Sequence, residues 1–247
     1  MRRTLGCGSG SGGGQVKLLR RHFFDKVGRD WEKAWTQQVT PWELQGVNPS
    51  FVEGLALLPP STNDPQVGGR RKALVPGCGS GFDLLHLYAQ GWDATGLDIS
   101  STAIDVARSN LGRDADSITL VQADFFAPST PSVQPHSFDL IYDYLFFAAI
   151  DPSMRAACAA RFHALLRPDT GRLVTLLFPL APPPLPLSYS SISSSTSTDQ
   201  GPPYVLSLDD YRQILEPAGL VLDSTHVPKT SIPPRRGREL LAVWSRS

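Results

Sequence analysis

Apolar positions along the chain change their period several times, and each change marks a predicted element. From residue 23 to 58 the spacing is helical. Asp30 is placed to cap a helix that carries Trp31 and Trp35 on one face, Pro41 breaks the run, and Pro49-Ser50 precedes a second helix. The stretch STNDPQVGGRR has loop composition, and beyond it short apolar runs alternate with helical periods. Strands are predicted at 72–75, 94–97 and 118–121, separated by helices at 83–89 and 102–110. A fourth strand at 138–142 leads to a helix at 154–166 opened by Asp151-Pro152, and a fifth strand follows at 172–178. After a Pro/Ser-rich insert at 181–203 come a helix at 208–215, a strand at 220–225, the polar connection SIPPRRG and a last strand at 239–244. Strands alternating with helices demand a mostly parallel sheet covered on both faces, and the last two strands, joined without a helix, pair antiparallel. The predicted fold is α/β, Rossmann-like, with seven strands.

Composition narrows the picture. Residues 1–22 open with a glycine and serine run that cannot offset the entropy of ordering, so they are expected to form a flexible tail before a single domain at 23–247. The insert is expected to be a surface loop, because proline removes backbone donors and serine builds no core. With 23 Lys+Arg against 23 Asp+Glu, no global field pulls the chain toward nucleic acid or an anionic membrane. No run approaches the ~18 to 20 apolar residues of a membrane span, and no secretory signal is visible, so a cytoplasmic address is expected. Cys7, Cys78 and Cys158 lack a C-x-x-C pair or zinc-like spacing, which argues against a disulfide framework or a metal site. Zincin, serine-hydrolase and P-loop motifs are missing as well.

The first strand runs into Pro76-Gly77-Cys78-Gly79-Ser80-Gly81 and then a helix, a turn that brings backbone close to a ligand. The dinucleotide fingerprint G-x-G-x-x-G fails at its third glycine, where Phe82 stands. G-x-G-x-G followed by an acid at the end of strand two fits the adenosyl and methionine parts of S-adenosylmethionine instead. Asp98, 21 residues after Gly77, is placed to accept from both ribose hydroxyls. Asp124, read as ending strand three, can accept from the adenine amino group while Phe125 lines the ring; a turn-forming Asp beside a core Phe is the bland alternative. Tyr144, after the fourth strand, can border the sulfonium or orient an acceptor, and Phe146 and Phe147 read as packing. The Asn/Asp-Pro-Pro-Tyr of amine methylases is absent there. Trp31, Trp35 and Trp42 form either a core stripe or an aromatic lid whose faces attract a sulfonium.

Taken in order, WEKAWTQQVTPWE, ALVPGCGSGFD, GLDIS, ADFF, FDLIYDYLFFAAIDPSMR, GPPY and RRGRELLAVW resemble the plant and fungal thiol and halide methyltransferases of the thiopurine S-methyltransferase superfamily. The resemblance runs from about residue 28 to the end, apart from the serine-rich insert. It implies a class I methyltransferase fold and S-adenosylmethionine as donor. It places donor contacts on Trp31, Trp35, Trp42, Gly77, Asp98, Asp124 with Phe125, and Tyr144; Gly79 joins them from the glycine run.

The implied reaction is in-line displacement at the donor methyl by a small thiol, hydrosulfide, thiocyanate or halide. Such nucleophiles are anionic or lose a proton near neutral pH, so positioning and desolvation supply most of the rate and no general base is named. Tyr144 is the candidate for orienting the acceptor, and Arg155 for holding an anionic one; Arg235 and Arg236 read as a solvated loop. A monomer acting on a small molecule, with no nucleic acid or membrane partner, is expected. Two alternatives stay open: a methyltransferase for a larger acceptor such as RNA, protein or a secondary metabolite, which would want a basic groove or an added domain, and a non-catalytic donor-binding protein.

Overall fold

The computed structural model describes residues 27–58, 69–180 and 202–247; the expected tail and nearly all of the expected insert lie outside these. Helix α1 is Trp31–Thr36 and α2 is Pro49–Leu55. As predicted, Asp30 caps α1, its Oδ1 accepting from Lys33 N at 2.9 Å, while Asn48 caps α2. The chain then alternates through β1 (Lys72–Pro76), α3 (Phe82–Ala89), β2 (Asp93–Asp98), α4 (Ser101–Leu111) and β3 (Thr119–Gln122). It continues through β4 (Leu140–Tyr144), the single turn α5 (Phe146–Ala149), α6 (Arg155–Leu165), β5 (Arg172–Leu177), α7 (Leu208–Leu215), β6 (Leu220–His226) and β7 (Leu240–Arg246).

The seven strands form one sheet in the order β3-β2-β1-β4-β5-β7-β6. Pairings among the first five are parallel, and β7 runs antiparallel to both β5 and β6, as the helix-free connection required. Alternate residues of each strand feed opposite cores. Leu74, Ile141, Leu173 and Trp244 pack with Phe162 and Tyr211 on one face, while Ala73, Val75, Tyr142 and Val174 pack with Phe51, Leu84 and Leu87 on the other. Reversal of strand order on either side of β1 opens a crevice at the carboxyl ends of the central strands.

The fourth strand differs from expectation. Phe138 makes only an isolated bridge to Leu166, and the ladder runs from Leu140 to Tyr144, so Asp143 and Tyr144 lie within the strand instead of after it. Just before the ladder, the Asp139 carboxylate accepts from Lys72 N at 2.8 Å, while its backbone bonds Lys72 O and Arg172 N.

Candidate functional site

The crevice is built on the turn from β1 to α3. Gly77 and Gly79 adopt left-handed φ values of +61° and +50°. A Cβ at Gly77 would stand 2.8 Å from the Phe146 ring, and one at Gly79 only 2.7 Å from Glu43 Oε1 and 3.2 Å from Trp35. Glycine is required here both by conformation and by close approach. Beside this turn Asp98 ends β2, 7% exposed, with Oδ2 accepting from Gly79 N at 3.1 Å and Oδ1 from Ser100 N at 3.0 Å. Each oxygen retains lone-pair capacity for a further donor. Burial raises the Asp98 pKa against the effect of those bonds. Ser100 caps α4, its Oγ accepting from Ala103 N at 3.0 Å.

An aromatic wall faces the glycine turn. Trp42 meets Trp31 edge-on at 5.6 Å and Trp35 at 6.3 Å, so the three tryptophans form one cluster. Glu32, between the two helical tryptophans in sequence, holds α1 in place. Its carboxylate accepts from the hydroxyls of Ser100, Ser101 and Thr102 and from Thr102 N, at the start of α4. The Ser100 and Thr102 bonds, with smaller help from the others, hold its pKa down to about 2.

The far side of the crevice is the end of β4. The Tyr144 hydroxyl donates to Trp42 O at 3.1 Å and accepts from Arg235 Nη1, while Arg235 Nη2 donates to Trp42 O at 3.4 Å. Arg235 is 6% exposed, packed between the Tyr144 and Phe178 rings at 5.2 and 4.6 Å. Here the reading of Arg235 as part of a solvated loop is corrected, whereas Arg236 beside it is exposed as read. Buried Glu239 draws the segment inward, accepting from Ser50 Oγ at 2.8 Å and Ser231 Oγ at 2.6 Å and standing 3.7 Å from Arg235 Nη1. Burial keeps the Tyr144 phenol protonated, its pKa raised although Arg235 pulls the other way. The space between these walls is lined by Trp42, Glu43, Gly77, Ser80, Asp83 and Tyr144, among others.

The sequence model of the Thiopurine S-methyltransferase (TPMT) family matches residues 27–226, most of the chain and every residue named as lining this crevice. The chain belongs to the thiopurine S-methyltransferase family. Within it, the chain is 36% identical to "Thiocyanate methyltransferase 1" of Brassica oleracea, over 87% of this chain and 84% of that protein. It is 33% identical to the protein of the same name from Arabidopsis thaliana, with the same coverage. Among solved structures, the glycopeptide N-methyltransferase MtfA complexed with sinefungin superimposes with a TM-score of 0.58 at 17% identity, covering 82% of this chain and 87% of that one, a likeness of fold alone.

The donor of this family is S-adenosylmethionine, and the crevice suits it. Glu43 and Asp83 give it an acidic lining for a molecule with two positive centres, Asp98 lies buried beside the glycine turn, and that turn admits close approach of backbone. Glu43 and Asp83 escaped the sequence reading. Asp83 opens α3, accepts from Asn48 N at 2.9 Å, and has a pKa raised to about 7 by burial. Cys78, on the same turn and half-buried, has its thiol pKa lifted well up by burial, with Asp98 nearby adding to the effect.

Other predicted residues fall differently. Asp124 lies two residues past the end of β3, exposed, with Oδ1 accepting from Phe126 N at 2.9 Å in a local turn. Phe125 is 3% exposed, a core residue edge-on to Phe126 and Phe146. The bland reading of this pair describes their placement. Arg155 is neither solvated nor among the residues lining the crevice: at 9% exposure it stacks 4.8 Å over the Tyr204 ring at the start of α6, and burial lowers its pKa. Phe147 is core, as read, whereas Phe146 also touches the glycine turn.

Proposed function

We propose that this protein transfers the methyl group of S-adenosylmethionine to a small anionic sulfur nucleophile, such as thiocyanate, hydrosulfide or a thiolate, with halide ions as further acceptors. The observation that carries the reading is the buried Arg235 guanidinium bonded to the hydroxyl of Tyr144, a cation directly behind a residue that lines the crevice. The names of the plant relatives support the acceptor class.

When bound, the donor supplies a methyl carbon made electrophilic by its sulfonium. Asp98 holds the ribose, the glycine turn accommodates the amino-acid portion, and Trp31, Trp35 and Trp42 cover the site and exclude water. Asp124 sits at the adenine end, its turn presenting the segment beside Phe125. Arg235 attracts the acceptor and lowers the cost of keeping it ionised once desolvated. Tyr144, held as a neutral phenol between Arg235 and Trp42 O, fixes that guanidinium and the direction of approach. A phenol so placed serves poorly as a base, and an acceptor already ionised needs none. Arg155, stacked on Tyr204 away from the lining residues, is given no role in holding the acceptor. We take the chain as one catalytic domain, a cytoplasmic monomer; zero net charge supports a small-molecule acceptor over nucleic acid.

The test is a headspace assay with methyl-labelled donor and separate thiocyanate, hydrosulfide, iodide and aromatic-thiol reactions. Volatile or extractable labelled product from at least one sulfur acceptor is expected. Retained binding of S-adenosylhomocysteine with no product from any of them would move the function to a larger acceptor or a non-catalytic role.

A further inference from the structure

Glu43 stands on the segment after α1, yet its carboxylate lies across the glycine turn. Oε2 accepts from Ser80 Oγ, and Oε1 sits over Gly79 so closely that a Cβ there would be 2.7 Å away. The Trp42 side chain bonds the same carboxylate. Among the described residues no arginine, lysine or histidine forms an ion pair with it. Burial, with Asp98 adding like charge, raises its pKa against the bonds that stabilise the anion. A carboxylate built into a wall with hydrogen-bond donors, and with no counter-charge among the described residues, suits a cationic ligand.

The donor carries two positive centres. On the reading above, its ribose meets Asp98 at the end of β2 and its sulfonium lies toward Tyr144 at the end of β4. Its amino-acid portion then falls along Gly77–Ser80, where Glu43 is the acid lying over the backbone. We infer that Glu43 binds the α-ammonium of S-adenosylmethionine, with Ser80 fixing the carboxylate, so that this residue selects donors with an intact amino group. The inference rests on the donor-binding reading of the crevice and adds to it a specificity-determining residue.

Calorimetry on the full chain and on Glu43→Gln, which keeps an acceptor for Ser80, tests it with three thioethers: S-adenosylhomocysteine, its deamino analogue and methylthioadenosine. The wild-type protein is expected to prefer S-adenosylhomocysteine to the deamino analogue by tenfold or more. Glu43→Gln should weaken S-adenosylhomocysteine about tenfold while leaving the other two within threefold, so that the preference for the amino group largely disappears. Equal weakening of all three ligands would assign Glu43 a purely structural role and overturn the inference, as would an unchanged preference. Selective loss in Asp83→Asn but not in Glu43→Gln would transfer the role to Asp83. Failure of the wild-type protein to bind any of the three would overturn the donor-binding reading itself, which the other outcomes leave standing.

Discussion

Asp98 shows how one side chain can serve the fold and the site together. Its two oxygens tie the glycine turn to the start of α4 through Gly79 N and Ser100 N, at the end of β2 beside the crevice, where we propose that it holds the ribose. Asp98→Ala should therefore weaken S-adenosylhomocysteine by about ten- to a hundredfold, at 1.4 kcal/mol per tenfold; an unchanged calorimetric affinity would remove the ribose role. Asp98, Gly77 and Gly79 were legible in the sequence because a strand followed by a glycine turn, then a strand ending in an acid, fixes their place at a sheet edge. Arg235 was not. Its segment reads as polar, and only the buried carboxylate of Glu239, four residues on and paired with Ser50 far away in sequence, turns it inward. Charge spaced i,i+4 immediately before an apolar strand was the signal available. Phe125 illustrates the converse: an aromatic beside a strand end was equally consistent with core, and packing against Phe162 and Phe146 decided it.

At the scale of elements, the placement of α1 depends on polar contacts more than on area, since the helix has six residues. Glu32 is its link to the α4 terminus. A folded-state pKa of about 2 against an ordinary 4.5 means that this contribution is present in full above pH 4.5 and fades as pH falls toward 2. Glu53 behaves likewise: burial opposes its ionisation, but His226, Thr230 and Lys229 hold its pKa to about 2 and join α2 to the loop carrying Arg235. Glu32→Gln should lower stability at pH 7 by no more than about 1 kcal/mol after solvent screening. Urea titrations should show the difference shrinking to nothing by pH 2, and a difference independent of pH would deny Glu32 this role. The helices themselves were legible from Asp30, Ser100 and the tryptophan spacing. That Glu32 would join two of them was not, because nothing local to either helix encodes their mutual approach.

Across the whole molecule, the predicted alternation of strands and helices gave the sheet and its antiparallel end because the period of apolar residues and the helix-free last connection leave few topologies open. Boundaries moved by only a few residues, the fourth strand among them. Trp244 joins the outer strands to the core: fully buried on β7, its indole donates to Thr175 Oγ1 at 3.0 Å on β5. Trp244→Phe should cost about 1 to 3 kcal/mol and lower the melting temperature by several degrees, with S-adenosylhomocysteine affinity unchanged at a temperature where the protein is folded. A large loss of affinity in the folded variant would mean that the sheet's far edge and the crevice are coupled. No helix among the described residues is long and apolar enough to cross a membrane.

The central claim is that the crevice joins a cationic methyl donor to an anionic acceptor held by Arg235. Single-turnover transfer of labelled methyl to thiocyanate, measured with donor saturating in the wild-type protein and in Arg235→Met, tests it most directly. Labelled methyl thiocyanate is expected from the wild-type protein, with a 30- to 100-fold slower reaction in the variant at low thiocyanate, about 2 to 3 kcal/mol, and S-adenosylhomocysteine affinity within threefold. Equal rates in the two proteins, or no transfer by the wild-type protein to thiocyanate or hydrosulfide, would contradict it.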